Sequence, residues 1–221
     1  YRPLSDAINE LVYGCLREQQ GASDEAETAN ILDAGCGEGY YAGRLQHYLS
    51  AQQAPVSCWS IGIDISKEAV RMAAKRYKDA LFVVANLKER LVLVDEAIDV
   101  LLNIFAPRNA AEFARVIAPK GLLLVVIPGP SHLLQLRSKL KLLSIEENKQ
   151  QHVVGQFAGW FELVNARSIA YELHLRRDEI GQAVMMTPNY WHLSDEMRKA
   201  MEVMEEIGTE AEFVCMAFRR K

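Results

Sequence analysis

The sequence lacks the paired cysteines of a structural metal site. Its four cysteines, Cys15, Cys36, Cys58 and Cys215, are scattered along the chain, with no Cys-x-x-Cys spacing. Such spacing is the usual sequence mark of a tetrahedral zinc site. We therefore interpret these residues as reduced thiols of a cytoplasmic protein and expect no metal bound by them.

Long apolar runs and an excess of positive charge are missing as well. No stretch reaches the roughly 20 apolar residues of a membrane span, and no signal peptide is visible, so we expect no membrane partner. Lysine and arginine number 25 against 29 acidic residues, a net charge of −4. This balance argues against chain-wide binding of nucleic acid but leaves a local basic patch open. Because the chain begins with Tyr1 and not Met, we expect that its N-terminus is trimmed.

What the sequence does contain is a regular alternation of apolar runs and amphipathic stretches. The runs predict strands at 31–33, 58–64, 80–86, 97–105, 121–128, 161–175 and 211–220. The stretches predict helices at 5–20, 38–49, 67–77, 109–117, 131–151, 177–186 and 195–208. Ser5 and Ser66 are the expected N-caps of two of these helices. Strands that are apolar throughout and alternate with helices are typical of a parallel sheet covered on both faces.

The predicted fold class is therefore α/β, with a doubly wound, mostly parallel, seven-stranded sheet. We expect one domain over 1–221, in which 1–130 form the cofactor-binding half. Residues 131–221 would then supply substrate-side helices and the closing strands. Arg137, Lys139 and Lys141 form a small basic cluster in this second half.

The stretch DAGCGEG follows the first strand and places glycines at alternate positions, 35, 37 and 39. A dinucleotide-binding loop would read Gly-x-Gly-x-x-Gly, so the spacing disfavours NAD. The alternating pattern opened by an acid resembles the S-adenosylmethionine loop of class I methyltransferases. In that interpretation glycine backbone lies against the methionine and ribose portions, and Asp33 faces the positively charged amino group. Asp64, at the end of the second strand, would accept the two ribose hydroxyls.

Cys36 lies inside this loop and has two interpretations. It is either a nucleophile or a small residue packed beneath the ligand, and the second interpretation is favoured. We therefore take the cofactor-binding residues from its neighbours. Those predicted from the loop and the next strand end are Asp33, Gly35, Gly37, Gly39 and Asp64.

The acceptor site is expected where the fourth and fifth strands end. The fourth ends in NIFAPR, a loose relative of the Asn/Asp-Pro-Pro-aromatic motif of nucleic-acid methyltransferases. Here Asn103 could hydrogen-bond to a base edge, Phe105 could stack on a base, and Arg108 could reach a phosphate or base oxygen. The alternative is that Phe105 belongs to the core and Arg108 is a solvated charge. His132, after the fifth strand, is either a structural histidine or a ligand contact.

Several longer segments together resemble one particular family. They are YRPLSDAI, LDAGCGEGYYAGRL, GIDISKEAVRMAAKRY, IFAPRNAAEFARVIAPKG, PGPSHLLQL and MMTP. In this order they are similar to the catalytic domain of the bacterial 23S ribosomal RNA guanine-N1 methyltransferases, from Tyr1 to about Pro188. FAPRNAAEFARV and PGPSHL are the most particular of them. That family includes enzymes linked to macrolide-type antibiotic resistance.

The resemblance implies S-adenosylmethionine as cofactor, with contacts at Tyr1, Gly37, Glu38 and His132. It also implies a flipped or looped-out guanine as acceptor. Guanine N1 carries a proton, so its loss or the resulting anion needs assistance, and our hypothesis places Asn103 and Arg108 near the guanine oxygen as the candidate catalytic residues. Asn86 would contact the adenine, although NLKERLVLVDEA lacks the Leu-Pro-Phe-like step usual there. Family members also carry an N-terminal four-cysteine zinc ribbon, absent from these 221 residues, that helps to hold RNA.

Other functions remain open on the sequence alone. A small-molecule methyltransferase of the same fold would suit the acidic net charge. A non-catalytic ligand-binding module, partnering another RNA-modifying subunit, is a third reading, and a homodimer is a further expectation. Basic residues around one pocket mouth would favour the RNA enzyme, whereas a closed apolar lid would favour the small-molecule enzyme.

Overall fold

The computed structural model describes residues 1–20, 28–53, 56–142, 145–146, 148–187 and 193–221. Within these residues the chain forms eight helices and seven strands. The helices are α1 (Arg2–Gln20), α2 (Tyr40–Ser50), α3 (Lys67–Arg76), α4 (Ala110–Val116), α5 (Leu134–Leu140), α6 (Lys149–Phe157), α7 (Arg177–Met185) and α8 (Asp195–Glu202). The strands are β1 (Thr28–Ala34), β2 (Ser57–Asp64), β3 (Ala80–Val84), β4 (Ile98–Ile104), β5 (Ile117–Pro128), β6 (Phe161–Arg176) and β7 (Glu206–Arg220).

The strands form one seven-stranded sheet in the order β3-β2-β1-β4-β5-β7-β6. The pairs β1–β2, β1–β4, β2–β3 and β4–β5 are parallel. From β1 the chain moves outward through β2 to β3 and then returns to the other side of β1 for β4 and β5. The strand order therefore reverses between β1 and β4, where ligands bind in doubly wound folds. This topology confirms the predicted fold class.

The centre of the sheet is buried and mainly apolar, as its strands β4 and β5 show. In β4 all residues but Asp99 are buried, and β5 is buried continuously from Gly121 to Ile127. Phe157 packs against this core through ring contacts with Phe113 and Phe218, at 6.3 and 5.3 Å between centroids. Burial of such a core supplies most of the free energy that holds the strand ends in place.

The chain divides into two compact units. The first unit comprises 1–127, 151–167 and 215–221, and the second comprises 128–150 and 168–214. The second unit has a core cluster of its own, to which α5 and α7 contribute Leu136, Leu140, Ile180 and Val184. The sequence prediction of a single domain with halves at 1–130 and 131–221 stays a prediction.

The structure corrects the predicted Ser5 cap and the extents of two predicted helices. Ser5 is not an N-cap, because α1 begins at Arg2 and the Ser5 hydroxyl instead accepts a hydrogen bond from Arg44 Nε at 2.8 Å. The helix predicted over 131–151 is replaced by α5 and α6, since α5 ends at Leu140 and its C-cap, Lys141, has a left-handed conformation with φ 52°. A residue in that conformation terminates a helix.

The helix predicted over 195–208 ends at Glu202, and β7 already begins at Glu206. Pairing within the sheet here overrides the helical propensity of Glu206 and Ile207. Ser66, by contrast, is the predicted N-cap, accepting the backbone N–H of Ala69 at 3.3 Å. The MMTP segment extends to Pro188, which lies outside the described residues. No helix in the described ranges is long and apolar enough to cross a membrane.

Candidate cofactor site and acceptor loop

The glycine loop, residues 33–39, is anchored on the end of β2. The backbone N–H groups of Gly35 and Cys36 both donate to the Ile63 carbonyl, at 2.8 and 3.1 Å. The Gly37 N–H donates to Asp64 Oδ2 at 2.9 Å. The loop therefore follows directly from the parallel pairing of β1 with β2, which brings their carboxyl ends side by side.

All three glycines of the loop have positive φ, at 91°, 52° and 77° for Gly35, Gly37 and Gly39. Side chains rarely adopt this conformation. A Cβ on Gly35 would lie 2.3 Å from the Ala106 Cβ, and one on Gly39 would meet Tyr77 and Phe82 at 3.0 Å. A Cβ on Gly37 would meet no atom within 4 Å. Gly35 and Gly39 thus serve the packing of the loop, whereas the space beside the Gly37 backbone is open.

Asp64 lies at the end of β2 with both carboxylate oxygens engaged by backbone. Oδ2 accepts the Gly37 N–H and Oδ1 accepts the Ser66 N–H at 2.8 Å. Each oxygen of a carboxylate offers two acceptor positions. Asp64 is therefore held rigidly and can still accept a pair of ribose hydroxyls, as its position at a strand end predicts.

Asp33 is almost completely buried at the end of β1, with 1% of its surface exposed. Burial raises the pKa of the Asp33 carboxyl to about 7; the backbone N–H of Ala42 opposes this rise and the charge of Asp64 adds to it. Among the described residues its Oδ2 has no hydrogen-bond partner. A buried acceptor left in this state suits a cationic donor such as the amino group of a methionine moiety.

Cys36 is buried within the loop, and its Sγ lies 3.6 Å from the Gly37 carbonyl oxygen. Burial raises the pKa of the Cys36 thiol far above its ordinary value, and Asp33 and Asp64 raise it further. A thiol in this environment stays protonated and is a poor nucleophile. The geometry agrees with the packing interpretation of this residue.

Three further predicted cofactor residues belong to the first unit. Glu38 is exposed between Gly37 and Gly39. The Tyr1 ring lies 6.4 Å from that of Phe105, tilted by 57°. The Asn86 side chain lies in a turn after β3, where Oδ1 accepts the Lys88 N–H at 3.0 Å and Nδ2 donates to Glu89 at 3.2 Å.

Asn103 lies one residue before the end of β4 and is 1% exposed. Its Nδ2 donates to the carbonyls of Ala34, at 3.3 Å, and Pro107, at 3.0 Å. Its Oδ1 has no partner among the described residues. The side chain thus lies between the start of the glycine loop and residues 105–108, which we call the acceptor loop.

The acceptor loop presents an aromatic ring and a cation. Phe105 is 46% exposed and has φ 55°, so it is not part of the core. Arg108 is half-buried, and its Nε donates to Gln156 Oε1 at 2.9 Å. Burial lowers the pKa of the Arg108 guanidinium, although an arginine keeps its charge throughout the physiological range. Arg108 is therefore a held cation rather than a freely solvated one.

His132 belongs to the second unit. Its ring packs on Phe213 at 4.7 Å between centroids, and its backbone carbonyl accepts from Arg137 Nε at 2.8 Å. Burial, with Arg137 and Lys149, lowers the pKa of the His132 imidazole to about 4. The imidazole is therefore neutral at pH 7, and its Nδ1 has no partner within the described residues.

Arg137 of the basic cluster is buried, with 7% of its surface exposed. Besides the His132 carbonyl it donates to that of Pro130 at 2.5 Å. Lys139 and Lys141 of that cluster are exposed. The sequence did not predict this difference, because helical spacing alone does not show which face of a short helix is buried.

Two residues of the site were missed in the sequence. Gln156 holds Arg108 across 48 positions of chain, and nothing in the local pattern around 156 indicates this. Ala106 packs on Gly35, and its only sequence signal is a small residue where a close backbone approach needs one. Both partnerships arise from tertiary packing.

Comparison with known proteins shows to which family the chain is similar. Residues 25–157 match the model of a family described as "Methyltransferase domain". The 23S rRNA (guanine(748)-N(1))-methyltransferase of Streptomyces fradiae is 35% identical over 193 residues, which cover 87% of this chain and 64% of that protein. A Bacillus subtilis protein with the provisional name 23S rRNA (guanine-N(1)-)-methyltransferase YxjB is 38% identical over 140 residues, 63% of this chain and 46% of its own.

This chain thus spans about half to two-thirds of the length of these two relatives. Among solved structures, the YcgJ protein of Bacillus subtilis aligns with a TM-score of 0.57 at 16% identity, covering 90% of this chain and 94% of that one. Identity this low shows the fold alone. Because the family model spans more than half of the 221 residues, the chain belongs to the methyltransferase-domain family, whose cofactor is S-adenosylmethionine.

Proposed function

We propose that this protein transfers a methyl group from S-adenosylmethionine to N1 of a guanine in large-subunit (23S) ribosomal RNA. The observation that carries the proposal is the 35% identity over 193 residues to an enzyme named for that reaction. The acceptor loop supports it independently, because an exposed aromatic ring and a held cation suit an unstacked base.

The glycine loop would hold the cofactor. Gly37 presents backbone to it, Asp64 can accept the ribose hydroxyls, and Asp33 can accept the amino group. These residues fit the group on three features of the fold: the open space at Gly37, the fixed carboxylate of Asp64 and the unpaired buried oxygen of Asp33. The bound cofactor supplies an electrophilic methyl group on a sulfonium sulfur.

The chain's own task is to place guanine N1 in line with that methyl group and to assist loss of the N1 proton. When that proton passes to solvent water, negative charge spreads onto the guanine oxygen. Arg108, held by Gln156 in a half-buried setting, is suited to stabilise that charge. Phe105, exposed in the same loop, is suited to stack on the base. A cofactor held by Gly37, Asp64 and Asp33 would supply the methyl group to N1, and its sulfur would keep the electron pair of the bond to methyl.

Arg108 variants test this assignment. We expect Arg108→Ala to lower kcat/KM for rRNA methylation by about 100-fold or more, with cofactor affinity measured by calorimetry unchanged. Arg108→Lys keeps the charge but not the planar guanidinium, so its kcat/KM is expected to lie between those of the wild type and Arg108→Ala. Arg71→Ala, on the exposed surface of α3, is the matched control. Methylation at the wild-type rate by Arg108→Ala would remove Arg108 from the reaction.

A small-molecule methyltransferase remains the alternative that the acidic net charge of −4 favours. The two functions separate in a competition experiment with labelled cofactor, rRNA and an extract of small metabolites. Label in the RNA fraction supports the proposal, and label confined to small molecules contradicts it.

A further inference from the structure

Asn103 connects two functional loops through one side chain. Its Nδ2 donates to the Ala34 carbonyl at 3.3 Å and to the Pro107 carbonyl at 3.0 Å. Ala34 directly precedes the glycine loop's first glycine, and Pro107 lies in the acceptor loop. Because both neighbours are carbonyl oxygens, the amide must present its nitrogen to them. Both of its hydrogens are then used within the protein.

The two loops also touch directly. At Gly35 an added Cβ would lie 2.3 Å from the Cβ of Ala106, so the backbone of the glycine loop packs against the acceptor loop. The acceptor loop is further fixed at both ends. The Phe105 N–H donates to the Val126 carbonyl at 3.1 Å, and Arg108 donates to Gln156. A displacement of the glycine loop would therefore be transmitted to the acceptor loop, whose position these contacts restrict.

The backbone of Phe105 has a conformation that residues other than glycine rarely adopt. Its φ of 55° lies in the left-handed region, and the residue is not glycine. Such a conformation persists only where surrounding contacts determine it. The Asn103 amide, through Pro107, is one of the contacts that do so. Loss of that contact would release the loop that carries the exposed ring.

We propose that Asn103 is a positioning residue that couples cofactor binding at the glycine loop to the conformation of the acceptor loop. The nature of the acceptor rests on the proposed function, but the coupling does not. Asn103 does not read the base edge with its amide hydrogens, since Ala34 and Pro107 take both. Binding at one loop orders the other through a shared hydrogen-bonding side chain, which makes the two binding steps cooperative.

Hydrogen–deuterium exchange of the full chain, with and without S-adenosylmethionine and without RNA, tests this coupling. In the wild-type protein we expect the cofactor to slow exchange in the glycine loop and also at the amides of Ala106 and Arg108. In Asn103→Leu, which has no donor, the cofactor should still slow exchange in the glycine loop and no longer do so in the acceptor loop. Asn103→Ser retains one donor and serves where the leucine variant folds poorly.

Arg71→Ala, on the exposed surface of α3, is the control for a substitution outside both loops. Its cofactor-dependent protection of the acceptor loop should equal that of the wild type. Equal protection in Asn103→Leu or Asn103→Ser would overturn the coupling, as would a wild-type acceptor loop that does not respond to the cofactor.

A kinetic measurement separates this inference from the proposed function. If rRNA is the acceptor, Asn103→Ser should lower kcat/KM for RNA by about 100-fold, as expected for a misplaced reactant. Cofactor affinity should change far less. If the wild-type protein methylates no RNA but shows the exchange coupling, the proposed function fails and the coupling stands. If it methylates RNA and Asn103→Ser exchanges like the wild type, the coupling fails alone.

Discussion

At the residue scale, Asp33 is a buried carboxyl whose pKa is raised by its surroundings. Its pKa of about 7 means that the folded protein keeps the carboxyl protonated at pH values where the unfolded chain has already ionised it. The sequence alone does not predict this raised pKa, because the surrounding core and Asp64, which cause it, are distant from Asp33 in the chain. A cationic ligand would favour the ionised form and draw the pKa back down.

We therefore expect Asp33→Asn to stabilise the free protein at pH 8. The raised pKa of Asp33 contributes stability that is complete below about pH 4 and is lost as the pH rises through 7. The variant does not undergo that loss. Its free energy of unfolding should therefore exceed that of the wild type by on the order of 1–3 kcal/mol at pH 8, and the difference should shrink toward pH 5. Thermal unfolding at both pH values measures it. Cofactor affinity should fall at least about tenfold, and a variant less stable than wild type at pH 8 contradicts the account.

Gly35 and Gly37 differ in what a side chain would meet, although both have positive φ. Gly37→Ala should destabilise the protein by only about 1–2 kcal/mol, for the left-handed backbone, and should weaken cofactor binding strongly. Gly35→Ala adds a clash with Ala106 and should unfold at clearly lower denaturant concentration. Urea unfolding and calorimetry on the two variants provide the comparison. Equal stability of both variants would show that Ala106 moves freely.

At the element scale, the connection from β3 to β4 runs over residues 85–97 without a helix of its own. Arg115 of α4 holds it. Its guanidinium donates to the carbonyls of Leu91 and Leu93, at 3.1 and 2.8 Å, and pairs with Asp95 and Glu112 at 2.6 and 2.8 Å. One planar fork thus satisfies several acceptors of a long loop at once.

Arg115→Met should accordingly cost about 2–4 kcal/mol of stability, because the Leu91 and Leu93 carbonyls lose this donor and the half-buried Glu112 keeps only the Leu91 N–H in place of its ion pair. Arg115→Lys should recover only part of that loss, since an ammonium cannot reach both carbonyls and both acids. Denaturant unfolding measures the difference. Arg71→Ala, on exposed α3, is the control, and an Arg115→Met protein as stable as this control would contradict the role.

The sequence predicts an element well when the residues that determine it are neighbours in the chain, and poorly when they are distant. The strands β1 to β5 and the Ser66 cap were predictable because apolar runs and cap residues are local signals. The break between α5 and α6 was not, because it depends on the left-handed conformation of Lys141. The early start of β7 depends on pairing with distant strands.

The site divides in the same way. The glycine spacing and the strand-end position of Asp64 predicted the cofactor, because both are set by the backbone of one βαβ unit. The hydrogen-bond partners of Asn103, Arg108 and Arg137 could not be predicted, because these pairs meet only after folding. The partners are the Ala34 carbonyl for Asn103, Gln156 for Arg108, and the Pro130 and His132 carbonyls for Arg137. The substrate follows from resemblance rather than from any single residue.

At the scale of the whole molecule, the two units carry different parts of the prediction. The first contains the glycine loop, Asp64 and the acceptor loop, and the second contains His132 in a neutral, buried state. A neutral imidazole with a free Nδ1 can accept or donate a hydrogen bond without adding charge. The role of His132 as a cofactor contact stays a prediction of the resemblance.

That role has a simple test. His132→Phe keeps the ring packing on Phe213 and removes both ring nitrogens. If His132 contacts the cofactor, affinity should fall about fivefold to tenfold, the equivalent of one hydrogen bond, with thermal stability unchanged within about 1 kcal/mol. Wild-type affinity in this variant would assign His132 a structural role only.

The central claim is that a ribosomal guanine receives the methyl group at N1. The direct measurement uses 23S ribosomal RNA from cells that lack the corresponding gene, methylated by the purified protein with labelled S-adenosylmethionine. The RNA is then digested to nucleosides, which are identified by mass spectrometry. The account predicts label in 1-methylguanosine. Label in a ribose-methylated nucleoside or at an exocyclic amine, or an unlabelled RNA beside labelled small molecules, would contradict it.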